Sequence, residues 1–299
     1  MELRVLRYFL AVAREENITE AAERLYITQP TLSRQLMDLE EELGVKLFNR
    51  GRRSRRITLT EAGMFLRKRA EEIVLLADKT EAAFSAPEDA VAGDVYVAAG
   101  ETDAIRLLAR AARVLQTEQP HIRYRIISGD GAEVQEQLER GTADFGVLLG
   151  DFDTSKYDSL TLPQKDTWGI LMRRDAPLAK KETICARDLW DKPLLLSRQI
   201  TSRDQLLGWL GKDLSELYVS AYYNLAYNAS RMTEEGLGYT LLLDNLIDVT
   251  GESPLCFRPL EPHLEVEVHV VWKKHQIFSR AAQLFLSRLR QTLADAPNE

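Results

Sequence analysis

The sequence predicts an α plus α/β chain in three parts: an N-terminal winged helix-turn-helix, a long linker helix and a C-terminal two-lobed α/β domain. Three observations carry this. Residues 1–60 hold three short segments with helical apolar spacing and then a basic, β-prone stretch. Residues 61–84 contain one glycine and no proline, with apolar residues recurring at helical intervals. From Gly93 onward, short apolar strand patterns alternate with amphipathic helices.

A length of 299 residues, 45% hydrophobic and 28% charged, fits a globular protein of two or three compact units and excludes disorder, collagen and coiled-coil rods. The net charge of -7 is unevenly spread. Residues 1–69 carry 14 Lys and Arg against 10 Asp and Glu, whereas the remaining 230 carry 25 against 36. A basic head on an acidic body suggests that the head alone meets a polyanion. Cys185 and Cys256 are 71 residues apart and have neither CxxC spacing nor a neighbouring histidine, so they are expected to be buried small hydrophobes. Ala11-Val12-Ala13 mimics a signal-peptidase site, but the apolar stretch before it is short and Glu2 interrupts the basic start. No run of 18 uncharged apolar residues exists, so no membrane partner is expected and the predicted location is the cytoplasm.

In the head, Leu6, Phe9, Leu10 and Ala13 form one helical face over about Leu3 to Glu15. Thr19 is then placed to cap a short second helix, Glu20 to Tyr26, in which Ala21-Ala22 permits close approach of another helix. Thr28 caps a third helix with Pro30 in its first turn, an apolar stripe of Leu32, Leu36, Leu39 and Leu43, and Gly44 as its stop. The opposite face reads Gln29, Thr31, Ser33, Arg34, Gln35 and Asp38. These short donors and acceptors with one guanidinium suit base edges and phosphates in a major groove better than the Glu and Lys of a solvated face. Two helices joined at Ile27-Thr28 make a helix-turn-helix, the third helix being the reading element. Lys46, Arg50, Arg52, Arg53, Arg55 and Arg56 follow with no acid between Val45 and Thr60, around Gly51. That is a basic hairpin, or wing, placed to neutralise phosphates.

These residues resemble the LysR-type transcriptional regulators. The matching positions are Asn17, Thr19, Ala21-Ala22, Leu25, Thr28-Gln29-Pro30-Thr31-Leu32-Ser33, Gln35-Leu36, Leu39-Glu40, Leu43-Gly44, Leu47-Phe48, Arg50, Thr58-Leu59-Thr60 and Gly63. The resemblance implies that Gln29, Pro30, Thr31, Ser33 and Arg34 lie in or beside the groove and that Arg50, Arg52 and Arg53 are wing contacts. With Thr19, Thr28, Gln35 and Arg55 they complete the candidate DNA-binding set.

The linker reads as one helix from Glu61 to Phe84, carrying Phe65, Leu66, Ile73, Leu76, Ala77 and Phe84 at helical spacing and ending before Pro87. A helix this long must bury its stripe on something, and a second copy of itself is the simplest partner. The resemblance implies antiparallel pairing into a dimer, and a tetramer beyond it.

In the body, strands are expected at Val95 to Ala99, Ile122 to Ile127 and Phe145 to Leu149, with helices at Ala104 to Thr117 and Ala132 to Arg140. A second set begins near Leu160: strands Trp168 to Met172, Leu194 to Leu196, Leu217 to Ala221 and Tyr239 to Leu243, and helices Arg203 to Gly211 and Leu225 to Glu235. The chain returns through Val266 to Trp272 into a last helix, Ile277 to Leu293. Such alternation predicts parallel sheets covered by helices, with ligand beyond the carboxyl ends of the strands. Arg140-Gly141, Asp144, Glu235-Gly236-Leu237-Gly238 and Val271-Trp272 resemble the LysR effector domain, which implies the fold of type II periplasmic binding proteins. The expected boundaries are 1–60 for the DNA-binding domain, 61–90 for the linker and 91–299 for the effector domain. Its lobe I covers about 91–160 plus 266–299, and lobe II about 161–265.

The strand ends supply the candidate effector-binding residues: Gly100, Glu101, Thr102 and Asp103; Ser128, Gly129 and Asp130; Ser197, Arg198, Gln199 and Ser202; Tyr223 and Asn224. Thr102, Asp103 and Ser202 equally suit helix caps. Helix N-termini and Arg198 favour an anion, whereas Glu101 and Asp103 stand where many family members have a small neutral residue, which leaves a cationic or amphoteric ligand open.

No catalytic constellation is found: the four histidines show no metal spacing, no GxSxG elbow occurs, and Gly129-Asp130-Gly131 lacks a third glycine. His269, alternating with Val268 and Val270, reads as structural. No cofactor or metal is expected. The sequence therefore predicts a transcriptional regulator, not an enzyme, with double-stranded DNA, a small-molecule effector and its own copies as partners and RNA polymerase as a further candidate. The competing reading is an enzyme or solute-binding protein on the same scaffold with a basic head that does not read sequence.

Overall fold

The structure is a computed structural model that describes residues 1–50, 56–85, 91–200 and 205–295. It divides into two compact units, Met1–Ser85 and Ala86–Glu299.

In the first unit, helix α1 (Leu3–Glu15) buries Leu6, Phe9, Val12 and Ala13. Helix α2 (Ile18–Arg24) starts earlier than its spacing predicts, because the cap is Asn17 rather than Thr19, and it ends sooner, before the left-handed Tyr26. The short Asn17 side chain reaches the first-turn donors, accepting the Thr19 N–H at 2.9 Å, and this leaves Thr19 exposed. Helix α3 (Gln29–Leu43) follows the expected pattern, with Thr28 as cap and Gly44 as a left-handed stop. Leu32, Leu36 and Leu39 are buried, but Leu43, expected on the same stripe, is exposed.

The interior side of α3 carries an unexpected buried acid, Glu40. Its Oε1 accepts the N–H groups of Leu47 (2.8 Å) and Phe48 (3.3 Å), and its Oε2 pairs with Lys46 Nζ at 3.0 Å. Burial opposes ionisation, yet these bonds outweigh it and hold the carboxyl below its ordinary value. Glu40 thereby fixes the entry to the hairpin of β1 (Phe48–Arg50) and β2 (Ile57–Leu59), where Phe48 lies opposite Leu59. Thr60 then donates to the Lys46 carbonyl (2.6 Å) and accepts the Gly63 N–H (3.0 Å), starting α4 (Glu61–Ser85). A Cβ on Gly63 would lie 2.1 Å from the Leu47 carbonyl oxygen, so only glycine allows this approach. Leu66, Ala70 and Val74 of α4 join the head core, while Met64, Phe65, Ile73, Leu76 and Phe84 are exposed.

The second unit holds two sheets. The first, in the order β4-β3-β5-β13-β6, is built from β3 (Gly93–Ala99), β4 (Ile122–Ser128), β5 (Phe145–Leu149), β6 (Tyr157–Thr161) and β13 (Val268–Lys273). Helices α5 (Ile105–Glu118) and α9 (Arg280–Ala294) cover one face, and α6 (Gly131–Glu139) covers the other. The second sheet, β11-β7-β10-β8-β9, is built from β7 (Asp166–Arg173), β8 (Leu194–Ser197), β9 (Val219–Tyr223), β10 (Tyr239–Leu243) and β11 (Leu255–Pro259). The short β12 (Glu265–Val266) pairs with the start of β7. Helices α7 (Gln205–Leu210) and α8 (Ala226–Glu234) pack on it.

The expectation of parallel sheets is corrected to mixed ones. β13 runs antiparallel to β5 and β6, and β7 runs antiparallel to β10, β11 and β12. Parallel pairing needs a helical crossover, and β6, β7, β12 and β13 are entered through loops. The chain passes between the sheets twice, between β6 and β7 and between β12 and β13. Cys256 is buried as expected, but Cys185 is exposed. His269 is buried, bonded to the Thr161 hydroxyl at 3.0 Å and packed on Phe152, with burial lowering its pKa.

Candidate DNA interface and ligand cleft

On α3 the candidate reading residues form one outward face. Thr28, Gln29, Pro30, Thr31 and Arg34 are exposed, and Ser33 and Gln35 are half-buried. The Thr28 and Thr31 hydroxyls are 2.8 Å apart, and Gln29 Nε2 donates to Ser33 Oγ at 2.9 Å. These internal bonds hold the short polar groups in place. Arg34 has no hydrogen bond or ion pair among the described residues, so its guanidinium is available to a partner. Two basic-stretch cations are already engaged: Lys46 with Glu40, and Arg56 with Glu16, whose carboxyl is lowered chiefly by the Arg56 hydrogen bond. Arg50 ends β1, but its side chain lies outside the described residues, as do Arg52, Arg53 and Arg55 altogether.

Sequence reasoning missed Tyr26. It is 96% exposed in the turn between α2 and α3, with a left-handed backbone (φ 55°). Its N–H bonds Glu23 O and the next N–H bonds Ala22 O, both at 3.1 Å, a helix stop normally made by glycine or asparagine.

In the second unit a cavity of about 330 Å³ opens between the sheets. Gly100, Glu101, Gly129, Ser197, Gln199, Tyr223 and Asn224 line it, as do Trp168, Gln205, Asp151 and Leu148, which the sequence did not single out. Other candidates lie elsewhere. The Thr102 hydroxyl is buried and accepts the Ala104 N–H at 3.0 Å, Ser128 is exposed, and Asp103 lines a different cavity with Asp244 and Asp248. Ser202, with Arg203 at the expected start of α7, lies outside the described residues.

Arg198 bridges to Asp130 (2.5 Å) and Glu133 (2.7 Å) of the other lobe rather than entering the cavity. Two further bonds cross between the lobes. Gln199 Oε1 accepts the Gly131 N–H at 2.7 Å, and the Glu101 carboxylate accepts the Ala226 N–H at the start of α8. The Tyr223 hydroxyl donates to Leu241 O, and burial, with the nearby Glu101 charge, pushes its pKa well above the ordinary phenol value. At the lobe junction, Asp166 is 1% exposed and neither carboxylate oxygen has a hydrogen-bond partner among the described residues. Burial, tempered by the Thr102 hydroxyl close by and reinforced by the Asp244 and Asp103 charges, pushes its carboxyl up to about 6.

Among the described residues no group of three or more His, Cys, Asp or Glu could hold a metal ion, and no helix is long and apolar enough to cross a membrane.

A helix-turn-helix head and a two-sheet domain around a cleft define a DNA-binding regulator with a ligand domain. Residues 3–64 match the bacterial regulatory helix-turn-helix proteins of the lysR family, and residues 88–294 match the LysR substrate binding domain. The chain belongs to the LysR family: it is a DNA-binding transcriptional regulator with an effector-binding domain. It is similar to the HTH-type transcriptional regulator BsdA of Bacillus subtilis (28% identical, covering 96% of this chain and 99% of BsdA). It is also similar to the Hca operon transcriptional activator HcaR of Escherichia coli (28%, covering 98% and 99%). Among solved structures, the LysR family regulator CbnR matches with TM-score 0.74 at 21% identity (99% of this chain, 100% of CbnR). Full-length CbnR in complex with its target DNA matches with TM-score 0.73 at 22% (98% and 100%). At such identities these structures speak for the fold.

Proposed function

We propose that α3 enters the major groove of operator DNA and reads it through Gln29, Pro30, Thr31, Ser33 and Arg34. Thr19, Thr28 and Gln35 lie beside the groove, and Arg50, Arg52, Arg53 and Arg55 act on the backbone. The observation that carries this reading is the exposed Arg34, without a partner among the described residues, on a face where Thr28, Thr31, Gln29 and Ser33 are held by internal bonds. The solved CbnR complex with target DNA supports the docking of such a head. Residues 1–60 serve as the reading domain, 61–90 as the pairing helix and 91–299 as the effector domain, with lobes divided near 160 and 266. The exposed Phe65, Ile73, Leu76 and Phe84 of α4 supply the face for a second copy, and the active form is a dimer or tetramer in the cytoplasm.

A small molecule in the cleft changes the balance between lobe arrangements, and subunit packing transmits that preference to the paired heads, altering DNA bending and polymerase access. The chain acts by binding, without catalysis. The test is a pair of substitutions. Arg34→Ala lowers affinity for the operator by about 1–3 kcal/mol with little change on random DNA, whereas Arg52→Ala weakens both alike and flattens the salt slope by about one unit. Equal losses on both DNAs for both variants refute these assignments.

A further inference from the structure

We infer that the cleft takes a small organic cation, an ammonium or amidinium group on an apolar body, seated on Glu101. This rests on the cleft being the effector site. The strongest anion-attracting features among the described residues are already used by the chain itself. The first N–H of α6, at Gly131, is taken by Gln199 Oε1, and the first N–H of α8, at Ala226, by Glu101 Oε2. Arg198, which follows the cavity-lining Ser197, is shared between Asp130 and Glu133, so that trio is net negative. The Tyr223 hydroxyl is spent on Leu241 O.

What remains favours positive charge. Glu101 lines the cavity, and its second oxygen, Oε1, has no hydrogen-bond partner among the described residues. A half-buried carboxylate oxygen is an acceptor only and binds a charged donor best. Asp151 adds a second negative charge to the lining, and none of the described lining residues is Lys, Arg or His. Trp168 and Tyr223 bring aromatic rings, which attract cations, into the lining, and Leu148 and Leu242 suit a carbon skeleton. The bond from the Tyr223 hydroxyl to Leu241 O restrains the ring. About 330 Å³ is at the low end for small-molecule sites, so the ligand is metabolite-sized.

The test is titration calorimetry on the full chain with matched probes: phenethylamine, hexylamine and benzamidine against 3-phenylpropionate, hexanoate and benzoate. At least one cation should bind about tenfold or more tightly than its matched carboxylate, and Glu101→Gln should weaken it about tenfold or more. Glu101→Gln keeps an amide oxygen for the Ala226 N–H, so an unchanged melting temperature certifies the fold. Ser197→Trp, which fills the cavity, should abolish binding. If carboxylates bind instead and Ser197→Trp removes them, the cleft is the ligand site but the cationic class is wrong. If the cations bind and Ser197→Trp leaves them unaffected, the cleft reading fails. Absence of binding by every cation up to its solubility limit, or an unchanged affinity in Glu101→Gln, overturns the proposal.

Discussion

The reading face and the ligand cleft are both polar surfaces, yet they are built over opposite ranges of sequence. On α3 the organising bonds join residues three or four apart, Thr28 with Thr31 and Gln29 with Ser33. At and beside the cleft they join residues 68 apart, Arg198 to Asp130 and Gln199 to Gly131, or 125 apart, Glu101 to Ala226. A short-range surface is presented rigidly by one helix. A long-range one exists only while two lobes keep their arrangement, which is the property a ligand-responsive site needs.

Three substitutions break or sharpen this contrast. The largest effect is expected from Glu40→Ala, because its buried carboxylate holds the entry to the hairpin across 7 and 8 residues. Removing it leaves the Leu47 and Phe48 N–H groups unsatisfied and should destabilise the head by about 2–4 kcal/mol. Hydrogen exchange at those two amides measures it, and unchanged protection would show that the hairpin is held by other means.

Next is Asp166→Asn, which probes the lobe junction. The folded carboxyl titrates near 6, above its unfolded value near 3.9, so the native state binds more protons between those values. Stability therefore falls as pH rises from about 4 to about 6, and the deficit persists above. Asp166→Asn should raise stability by about 1–3 kcal/mol near pH 7.5 and change little near pH 4. The same gain at both pH values would show that charge is not the cause.

The smallest effect concerns Tyr26. Its left-handed backbone costs about 1 kcal/mol, partly offset in the glycine variant by unfolded-state entropy, so Tyr26→Gly should stabilise the head by about 0.5 kcal/mol. DNA affinity should fall at the same time, because the 96% exposed ring has no packing role. A rise in stability with unchanged affinity in a binding titration would leave the ring without a function.

The same contrast of range explains what the sequence could tell. Helices α1 and α3, the Thr28 cap, the Gly44 stop and the basic hairpin follow from apolar periodicity, capping chemistry and charge, all local. The errors there were local too: Asn17 outcompeted Thr19 for the cap, and Tyr26 adopted a conformation that its residue type disguises. In the effector domain the strand and helix order was legible, but strand direction was not, because β6, β7, β12 and β13 are not preceded by crossover helices. Seven candidate cleft residues line the cavity because strand ends converge there. The pairing of Arg198 has no local signal, because its partners, Asp130 and Glu133, lie 68 and 65 residues away. Trp168, Asp151 and the buried Asp166 carry no local signature at all. Glu40 illustrates the same limit within the head, since a Glu on a helix gives no sign that the following loop will donate to it.

The central claim is that a paired, sequence-reading head is governed by a ligand domain. It is tested most directly by selecting from a random DNA library with the purified full-length protein at two salt concentrations. The account predicts enrichment of a dyad-symmetric site whose affinity falls steeply with salt and whose enrichment is weakened in Arg34→Ala. Salt-sensitive enrichment without any sequence preference would contradict it.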